Sequence, residues 1–310
     1  MTVLFSHGDC LEHVTPPGHP EQVARLQVIG EALAADRFSG LDRRDAPLCQ
    51  DVDLLRCHPQ VYLDRVRSAA PADGWAALDG DTHMSPGSLT AAYRAVGANV
   101  AAVDAVLGGD ATNAFVACRP PGHHAESATA MGFCLFGNVS IAAKNALDGH
   151  GLDRVAVFDF DVHHGNGTQD LLWNESRALF CSTHQMPLYP GSGAPSERGA
   201  HDNVLNVPLE AMSGGSEMRR VYDDMILPAV AAFEPELILV SAGFDAHASD
   251  PLANLNWSTQ DFAWLTGRIC DVADACCGGR VVSTLEGGYD LTALAESVAA
   301  HVGVLRERGA

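Results

Sequence analysis

The 310-residue chain has few basic residues, and this shortage limits its partners. It contains 19 Lys and Arg residues against 39 Asp and Glu residues, a formal net charge of −20 at pH 7 with histidine neutral. A surface that acidic repels phosphate backbones and anionic lipid headgroups. We therefore expect no direct nucleic-acid partner and no membrane binding, whereas a cationic substrate or partner is favoured unless the acidity serves only solubility.

Paired cysteines and long apolar runs are also missing. The nine cysteines are odd in number and include no C-x-x-C pair, so we expect neither a disulfide framework nor a structural zinc knuckle. No uncharged apolar window approaches the roughly 20 residues of a membrane-spanning helix. The first residues, MTVLFSHGDC, lack a basic region followed by an apolar stretch. These absences predict a soluble, cytoplasmic protein without a signal peptide or membrane span.

Short apolar segments alternate with longer alanine-rich segments, and this alternation predicts the fold. Most of the short segments are apolar throughout, which is typical of strands covered on both faces. The predicted strands are Val3–Ser6, Asn113–Ala117, Arg154–Phe160, Ala178–Ser182, Val204–Val207, Glu236–Ser241 and Arg280–Leu285. The predicted helices are Glu21–Ala35, Pro59–Ser68, Ser88–Val106, Asn138–Leu147, Ser216–Phe233, Thr259–Ala275 and Leu291–Arg306. This order predicts one α/β domain over residues 1–310, with a largely parallel sheet and helices on both faces.

Polar clusters follow four of the predicted strands. They are Arg119–Glu126, Asp159–Gly167, Gly243–Asp250 and Glu286–Asp290. Ligands of open α/β sheets bind at the carboxyl ends of the strands. We therefore expect the four clusters to converge on one pocket.

The segment DFDVHHGNG is the strongest indication of chemistry. Alternate residues of a strand face the same way, so Asp159, Asp161 and His163 share one face. Burying two carboxylates and an imidazole without partners is costly, and a divalent cation offsets that cost. Asp and His are ordinary zinc ligands, and a catalytic zinc has about three protein ligands and an open position. The alternative is a hydrogen-bonded polar turn that binds nothing.

A third ligand is expected from another strand end. Asp245 follows the apolar strand that ends near Ser241, and it is our choice. Its alternative role is to cap the next turn, and His247, two residues later, is a weaker candidate for the ligand. The ligand set also suits ferrous iron.

Two further clusters carry groups for proton transfer and charge stabilisation. His123 and His124 follow Pro-Pro-Gly, and a histidine pair near a metal can divide general-base and electrostatic duties. Such histidines need acceptors that fix their tautomers, and Asp159 and Asn166 are candidates. In LEGGYD, two glycines precede Tyr289, whose phenol could donate to a developing oxyanion. Either cluster alone could instead be a structural turn.

In combination, PPGHHA, DFDVHHGNGT, SAGFDA and LEGGYD, in that order, resemble the zinc-dependent histone deacetylase family. That family includes acetoin-utilization-type and acetylpolyamine amidohydrolases. The resemblance extends from His19 to Tyr289, and HHGNGTQ and LEGGYD are similar to the class II branch. It implies a hydroxamate-sensitive zinc deacetylase with an arginase-like α/β fold around a mostly parallel, eight-stranded sheet.

The resemblance also implies a role for each matching residue. One zinc ion per chain would be held by Asp161, His163 and Asp245. The catalytic groups would be the tandem histidines His123 and His124, their partners Asp159 and Asn166, and the transition-state tyrosine Tyr289. The substrate would contact Gly132, Phe133 and Tyr189, of which the last is usually Phe in the family. A potassium or sodium ion would lie beside Asp159, Ser182 and the carbonyls of Asp161, His163 and Thr183.

The substrate is less defined than the chemistry. In a polyamine-selective relative, the residue after the Asp-Pro pair is a Glu, whereas this chain has Leu252, which resembles the protein-lysine deacetylases. We therefore expect acylated lysine in proteins or peptides, with acetylpolyamines or other small amides as the alternative.

A catalytically idle scaffold would lack a ligand, histidine or tyrosine, and none is missing. A two-metal ureohydrolase needs an extra carboxylate near HHG, where Val162 and Gly165 cannot coordinate. Homo-oligomers are possible.

Overall fold

Eight strands form a central sheet in which every neighbouring pair is parallel. The computed structural model describes residues 1–310. The strands of this sheet are β1 Thr2–Ser6, β2 Asp42–Asp45, β5 Asn113–Val116, β6 Val155–Asp159, β7 Ala178–Gln185, β8 Val204–Leu209, β9 Leu237–Ala242 and β10 Val281–Leu285. Their order is β2-β1-β5-β10-β9-β6-β7-β8. Two further strands, β3 Ala76–Ala77 and β4 His83–Met84, form a small antiparallel hairpin.

Ten α-helices accompany the strands. They are α1 Ala24–Leu33, α2 Asp51–Leu54, α3 Gln60–Ala69, α4 Ser88–Leu107, α5 Asn138–Lys144, α6 Asn166–Leu172, α7 Gly215–Val221, α8 Leu227–Phe233, α9 Thr259–Cys277 and α10 Leu291–Arg308. A π-helical turn at Tyr222–Ile226 connects α7 to α8, so one predicted helix is present in three pieces. None of the helices combines the length and apolar content that a bilayer crossing requires.

Two hydrophobic cores lie on opposite faces of the sheet. Ala156 and Phe158 of β6 belong to the core that includes residues of α1, α9 and α10, whereas Val155 and Val157 belong to the core formed with α4 and α5. The alternation follows from the period of two along a strand. Because both faces are covered, the strands are apolar throughout. The predicted parallel α/β fold with helices on both faces is confirmed.

The sequence-based prediction missed the edge strand β2. Its residues are Asp-Arg-Arg-Asp, and it pairs only with β1. Charged residues are typical of sheet edges because they discourage pairing with other chains. An apolar pattern therefore cannot reveal such a strand.

The order of the strands brings the four polar clusters together. Strands β5, β10, β9 and β6 are consecutive neighbours in the sheet. The clusters follow these four strands at their carboxyl ends. The sheet therefore carries all four to one edge, as the sequence predicts.

Candidate active site

Three buried side chains converge beyond the ends of β6 and β9. The ligand atoms of Asp161, His163 and Asp245 all lie within 4.8 Å of one another. Nδ1 of His163 lies 3.1 Å from Asp161 Oδ1 and 3.1 Å from Asp245 Oδ2. A single N–H at Nδ1 cannot donate a full hydrogen bond to each of two carboxylates. The cluster therefore has fewer hydrogen-bond donors than its acceptors need.

The electrostatics of the cluster fit a divalent cation. Burial and the neighbouring Asp161 carboxylate raise the pKa of Asp245 to about 7. Two carboxylates that repel each other in a buried position are stabilised by a cation between them. Two carboxylate oxygens and an imidazole nitrogen suit zinc, and three protein ligands leave a position open. The residues present therefore fit a catalytic metal ion.

His247, the weaker candidate for the third ligand, lies outside this cluster. Its Nδ1 accepts a hydrogen bond from the backbone N–H of Ser249 at 3.1 Å. The structure therefore brings Asp245, and not His247, beside Asp161.

The tandem histidines lie next to the metal cluster, and each has a different partner. His123 Nδ1 is 3.0 Å from Asp159 Oδ2, and His124 Nδ1 is 2.8 Å from Asn166 Oδ1. The amide nitrogen of Asn166 donates to Glu126 Oε1 at 2.8 Å, which turns the amide oxygen toward His124. Nδ1 of His124 therefore carries the proton, and Nε2 keeps its lone pair.

The two histidines differ in pKa because their neighbours differ. Burial, followed by the neighbouring His123 and His163 imidazoles, holds the pKa of His124 well below its usual range. Burial also opposes charge on His123, yet the carboxylates of Asp161 and Asp159 raise its pKa well above 6.5. The two rings lie side by side, with centroids 3.9 Å apart, and their opposite pKa shifts favour the neutral form of His124 and the charged form of His123.

The loop after β10 connects the metal cluster to the histidine turn. The backbone N–H of Gly287 donates to Asp161 Oδ2 at 2.8 Å. The buried Glu286 carboxylate accepts from the backbone N–H groups of Gly122 and His123, at 2.7 and 3.2 Å. The sequence placed Glu286 in a polar cluster but did not reveal this role, because acceptance from backbone N–H groups leaves no residue spacing to detect.

A cavity of about 260 Å³ leads to these groups. It is lined by Pro20, Asp81, His124, Gly132, Phe133, His163, Leu188, Tyr189, Leu252 and Tyr289. All four predicted substrate contacts are therefore in its wall. Burial raises the pKa of the Tyr289 phenol well above 10, so the phenol remains a hydrogen-bond donor. Asp81, Pro20 and Leu188 were not predicted as site residues, and Asp81 lies in the loop between β3 and β4.

The wall of the cavity depends on an unusual backbone at Gly132 and Phe133. Their φ angles are 54° and 69°, in the left-handed region. A Cβ at Gly132 would overlap the His124 ring, so only glycine fits there. The backbone N–H of Phe133 donates to Thr82 Oγ1 at 3.0 Å, and its ring centroid is 5.9 Å from that of Tyr289. This backbone directs the aromatic ring into the cavity.

Of the residues predicted for the monovalent cation, Ser182 lies beside Asp159. Ser182 is the residue opposite Asp159 in the pairing of β6 with β7. Ser182 Oγ lies 2.9 Å from His184 Nδ1, and the Thr183 hydroxyl lies 2.9 Å from that of Tyr222. The cation itself stays a prediction.

We expect Gly287→Ala to empty the metal site. The added Cβ would lie 2.5 Å from Asp161 Oδ2 and would also overlap Asp245 Oδ2, so two ligands must move. The metal content of the purified variant, measured by elemental analysis, should fall below half of the wild-type value. Gly303→Ala in α10 is the matched control, because its Cβ meets nothing within 4 Å and the metal content should not change. A fully metal-loaded Gly287→Ala protein would contradict this reading of the site.

The parallel sheet and the site at its carboxyl edge define a metal-dependent amide hydrolase of the deacetylase type. A model of the histone deacetylase domain matches residues 19–305, and the chain belongs to that family.

Relatives from bacteria and plants are similar over most of the chain. The histone deacetylase-like amidohydrolase of Pseudomonas aeruginosa is 41% identical, covering 89% of this chain and 74% of that protein. The chloroplastic histone deacetylase 10 of Oryza sativa subsp. japonica is 40% identical, covering 96% of this chain and 71% of that protein. The crystal structure of the HDA15 HD domain superposes with a TM-score of 0.93 at 31% identity, covering 98% of this chain and 87% of that one.

Proposed function

We propose that this enzyme is a zinc-dependent deacylase that removes acetyl or other acyl groups from lysine side chains of proteins or peptides. The observation that carries the proposal is the cavity, which is walled by Phe133, Tyr189 and Leu252 and reaches His163 and Tyr289. An apolar, aromatic wall suits the methylene stem of an acylated lysine. The amide carbonyl would then lie among the groups at the inner end.

Asp161, His163 and Asp245 would hold the zinc ion. A zinc ion held there supplies Lewis acidity toward the acyl carbonyl and the attacking water. One such ion per chain fits the single cluster of three ligand side chains.

The side chains of the cavity supply the proton transfers. His124 is in the cavity wall and neutral, so its Nε2 can accept a proton from the attacking water. His123, held by Asp159, carries a proton and supports the negative charge that develops beside it. The Tyr289 phenol donates to the carbonyl oxygen as that oxygen becomes negative. A protonated histidine then gives its proton to the departing amine.

The test compares two substrates in one zinc-loaded preparation. Hydrolysis of an acetyl-lysine peptide and of N-acetylputrescine is measured with and without a hydroxamate. We expect hydroxamate-sensitive turnover that favours the peptide. Preference for N-acetylputrescine would keep the chemistry and overturn the lysine assignment. Absence of turnover on both would overturn the proposal for acetylated amines.

We expect Leu252→Glu to shift this preference toward the polyamine. A carboxylate in the cavity wall would attract the free ammonium group of N-acetylputrescine, which the leucine cannot do. The ratio of kcat/KM for N-acetylputrescine to that for the peptide should rise roughly tenfold, equivalent to about 1.4 kcal/mol. Leu252→Gln, of the same length but uncharged, should leave the ratio near the wild-type value. An equal shift in both variants would show that charge does not select the substrate.

The surroundings of the enzyme remain open to simple tests. We retain a cytoplasmic location, a structural potassium or sodium ion beside Asp159, and the absence of nucleic-acid and membrane partners as predictions. Cell fractionation would test the location. Replacing potassium by a large organic cation would test the ion site, and binding assays at physiological salt would test the absence of nucleic-acid and membrane partners. Light scattering would give the oligomeric state.

A further inference from the structure

Asp250, in the loop after β9, accepts hydrogen bonds from two separate parts of the site. Its Oδ2 accepts from the backbone N–H of Tyr289 at 2.7 Å and from that of Asp290 at 3.4 Å. Its Oδ1 accepts from the backbone N–H of Leu252 at 3.0 Å. The side chain is buried, with 8% of its residue surface exposed. One carboxylate therefore joins a residue of the cavity wall to the residue that carries the phenol.

The backbone of Tyr289 needs such a partner. The preceding Gly288 has φ 120°, a conformation open mainly to glycine, so the local sequence does not restrict the chain there. The following residue, Asp290, caps α10 by accepting from the backbone N–H of Ala293 at 2.8 Å. Arg25 holds the Gly288 carbonyl at 2.6 Å. The Tyr289 amide itself is held by Asp250.

A purely local role does not account for these bonds. An Asp that accepts from the backbone two residues later forms an ordinary turn, and the bond from Leu252 fits that description. The bonds from Tyr289 and Asp290 instead join positions 39 and 40 residues apart. A buried carboxylate bonded to backbone N–H groups makes strong, charge-assisted hydrogen bonds.

We propose that Asp250 is a positioning residue that fixes the Tyr289 phenol relative to the Leu252 wall of the cavity. The inference rests on the role proposed above for Tyr289. Displacing a catalytic group by about 1 Å can lower the rate about 10²-fold. Without Asp250, Tyr289 keeps its phenol, but its backbone N–H loses the carboxylate that also holds Leu252. The position of the phenol is then no longer fixed relative to the cavity wall against which the substrate lies.

A double-mutant cycle tests this inference. Asp250→Ala should lower kcat roughly 10- to 100-fold in the wild type, because the phenol is misplaced. In a Tyr289→Phe background the same substitution should lower kcat less than about threefold, because the group that it positions is gone. Zinc content should be unchanged throughout. Equal factors in the two backgrounds, or no effect of Asp250→Ala in the wild type, would overturn the inference.

Hydrogen exchange gives a readout that does not depend on turnover. Asp250→Ala should accelerate exchange of the amides in a peptide covering residues 286–290, and unchanged protection there would count against the inference. Val298→Ala, a core truncation in α10, is the control for general destabilisation, and it should leave kcat of the folded protein unchanged. If Asp250→Ala does not fold, Asp250→Asn, which keeps one acceptor oxygen, replaces it in the double-mutant cycle. The same changes in kcat are then expected, and the same results would overturn the inference. Inactivity of the wild type on every acylated amine, together with faster exchange in the Asp250 variant, would remove the proposed function and keep the positioning role.

Discussion

Tyr289→Phe should lower kcat about 10²- to 10³-fold, the loss that follows removal of one hydrogen-bond donor to a developing oxyanion. The ring lines the cavity, and burial keeps its phenol protonated. Phenylalanine keeps the ring, including its contacts with Phe133 and with the Arg25 guanidinium, 5.0 Å from the ring centroid. The substitution therefore removes a single O–H group. Steady-state kinetics on the acetyl-lysine peptide measure the loss.

Metal content separates this prediction from a structural effect. The Tyr289 hydroxyl makes no hydrogen bond to the side chains of Asp161, His163 or Asp245. The bound zinc should therefore remain at the wild-type level. KM should change much less than kcat, because the lost interaction strengthens as charge develops. Loss of bound zinc in Tyr289→Phe would show that the tyrosine supports the metal site and would remove its proposed catalytic role.

Removal of the metal should abolish turnover and lower the thermal stability of the protein together. The buried carboxylates of Asp161 and Asp245 lie close to each other, and without a cation their repulsion opposes folding. A ligand that binds only the native state stabilises it by about 4 kcal/mol when its free concentration is about 1,000 times Kd. A chelator should therefore lower Tm, and added Zn²⁺ should restore both Tm and turnover.

His163→Ala gives the matching genetic test. This variant should bind no stoichiometric zinc, and Zn²⁺ should restore neither turnover nor Tm. His247→Ala is the control, because that imidazole accepts from Ser249 and lies outside the cluster, so metal content should not change. Full turnover by a protein that is free of metal by elemental analysis would overturn the metal-dependent mechanism.

The sequence predicted those parts of the fold and the site that follow from apolar patterning and from residue spacing. Apolar strands followed by polar clusters placed the four clusters at one sheet edge. The strand face predicted for Asp159, Asp161 and His163 is wrong in detail, because β6 ends at Asp159 and the other two lie in the turn that follows. The charged strand β2 and the short helix α6 were missed. Helix α6 begins with Asn-Gly-Thr-Gln, which carries no apolar period, and its form depends on the packing around it.

Residues that act through backbone groups could not be found in this way. Glu286 and Asp250 each accept from N–H groups of loops that are distant along the chain. Any residue type can supply a backbone N–H, so the partner leaves no mark on the sequence. Asp81 lies in the loop between β3 and β4, and this loop contributes to the cavity wall. Only the three-dimensional structure reveals the roles of such residues.

The left-handed backbone at Phe133 sets a limit on engineering this enzyme. A bulky residue in that conformation costs on the order of 1–3 kcal/mol, whereas glycine adopts it freely. Phe133→Gly would relieve that strain, but it would also raise the conformational entropy of the unfolded chain and remove the packing of the ring on Tyr289, and both changes oppose the gain. The cavity would also lose one of its aromatic walls, so the strained backbone at Phe133 is the cost of presenting this ring to the substrate.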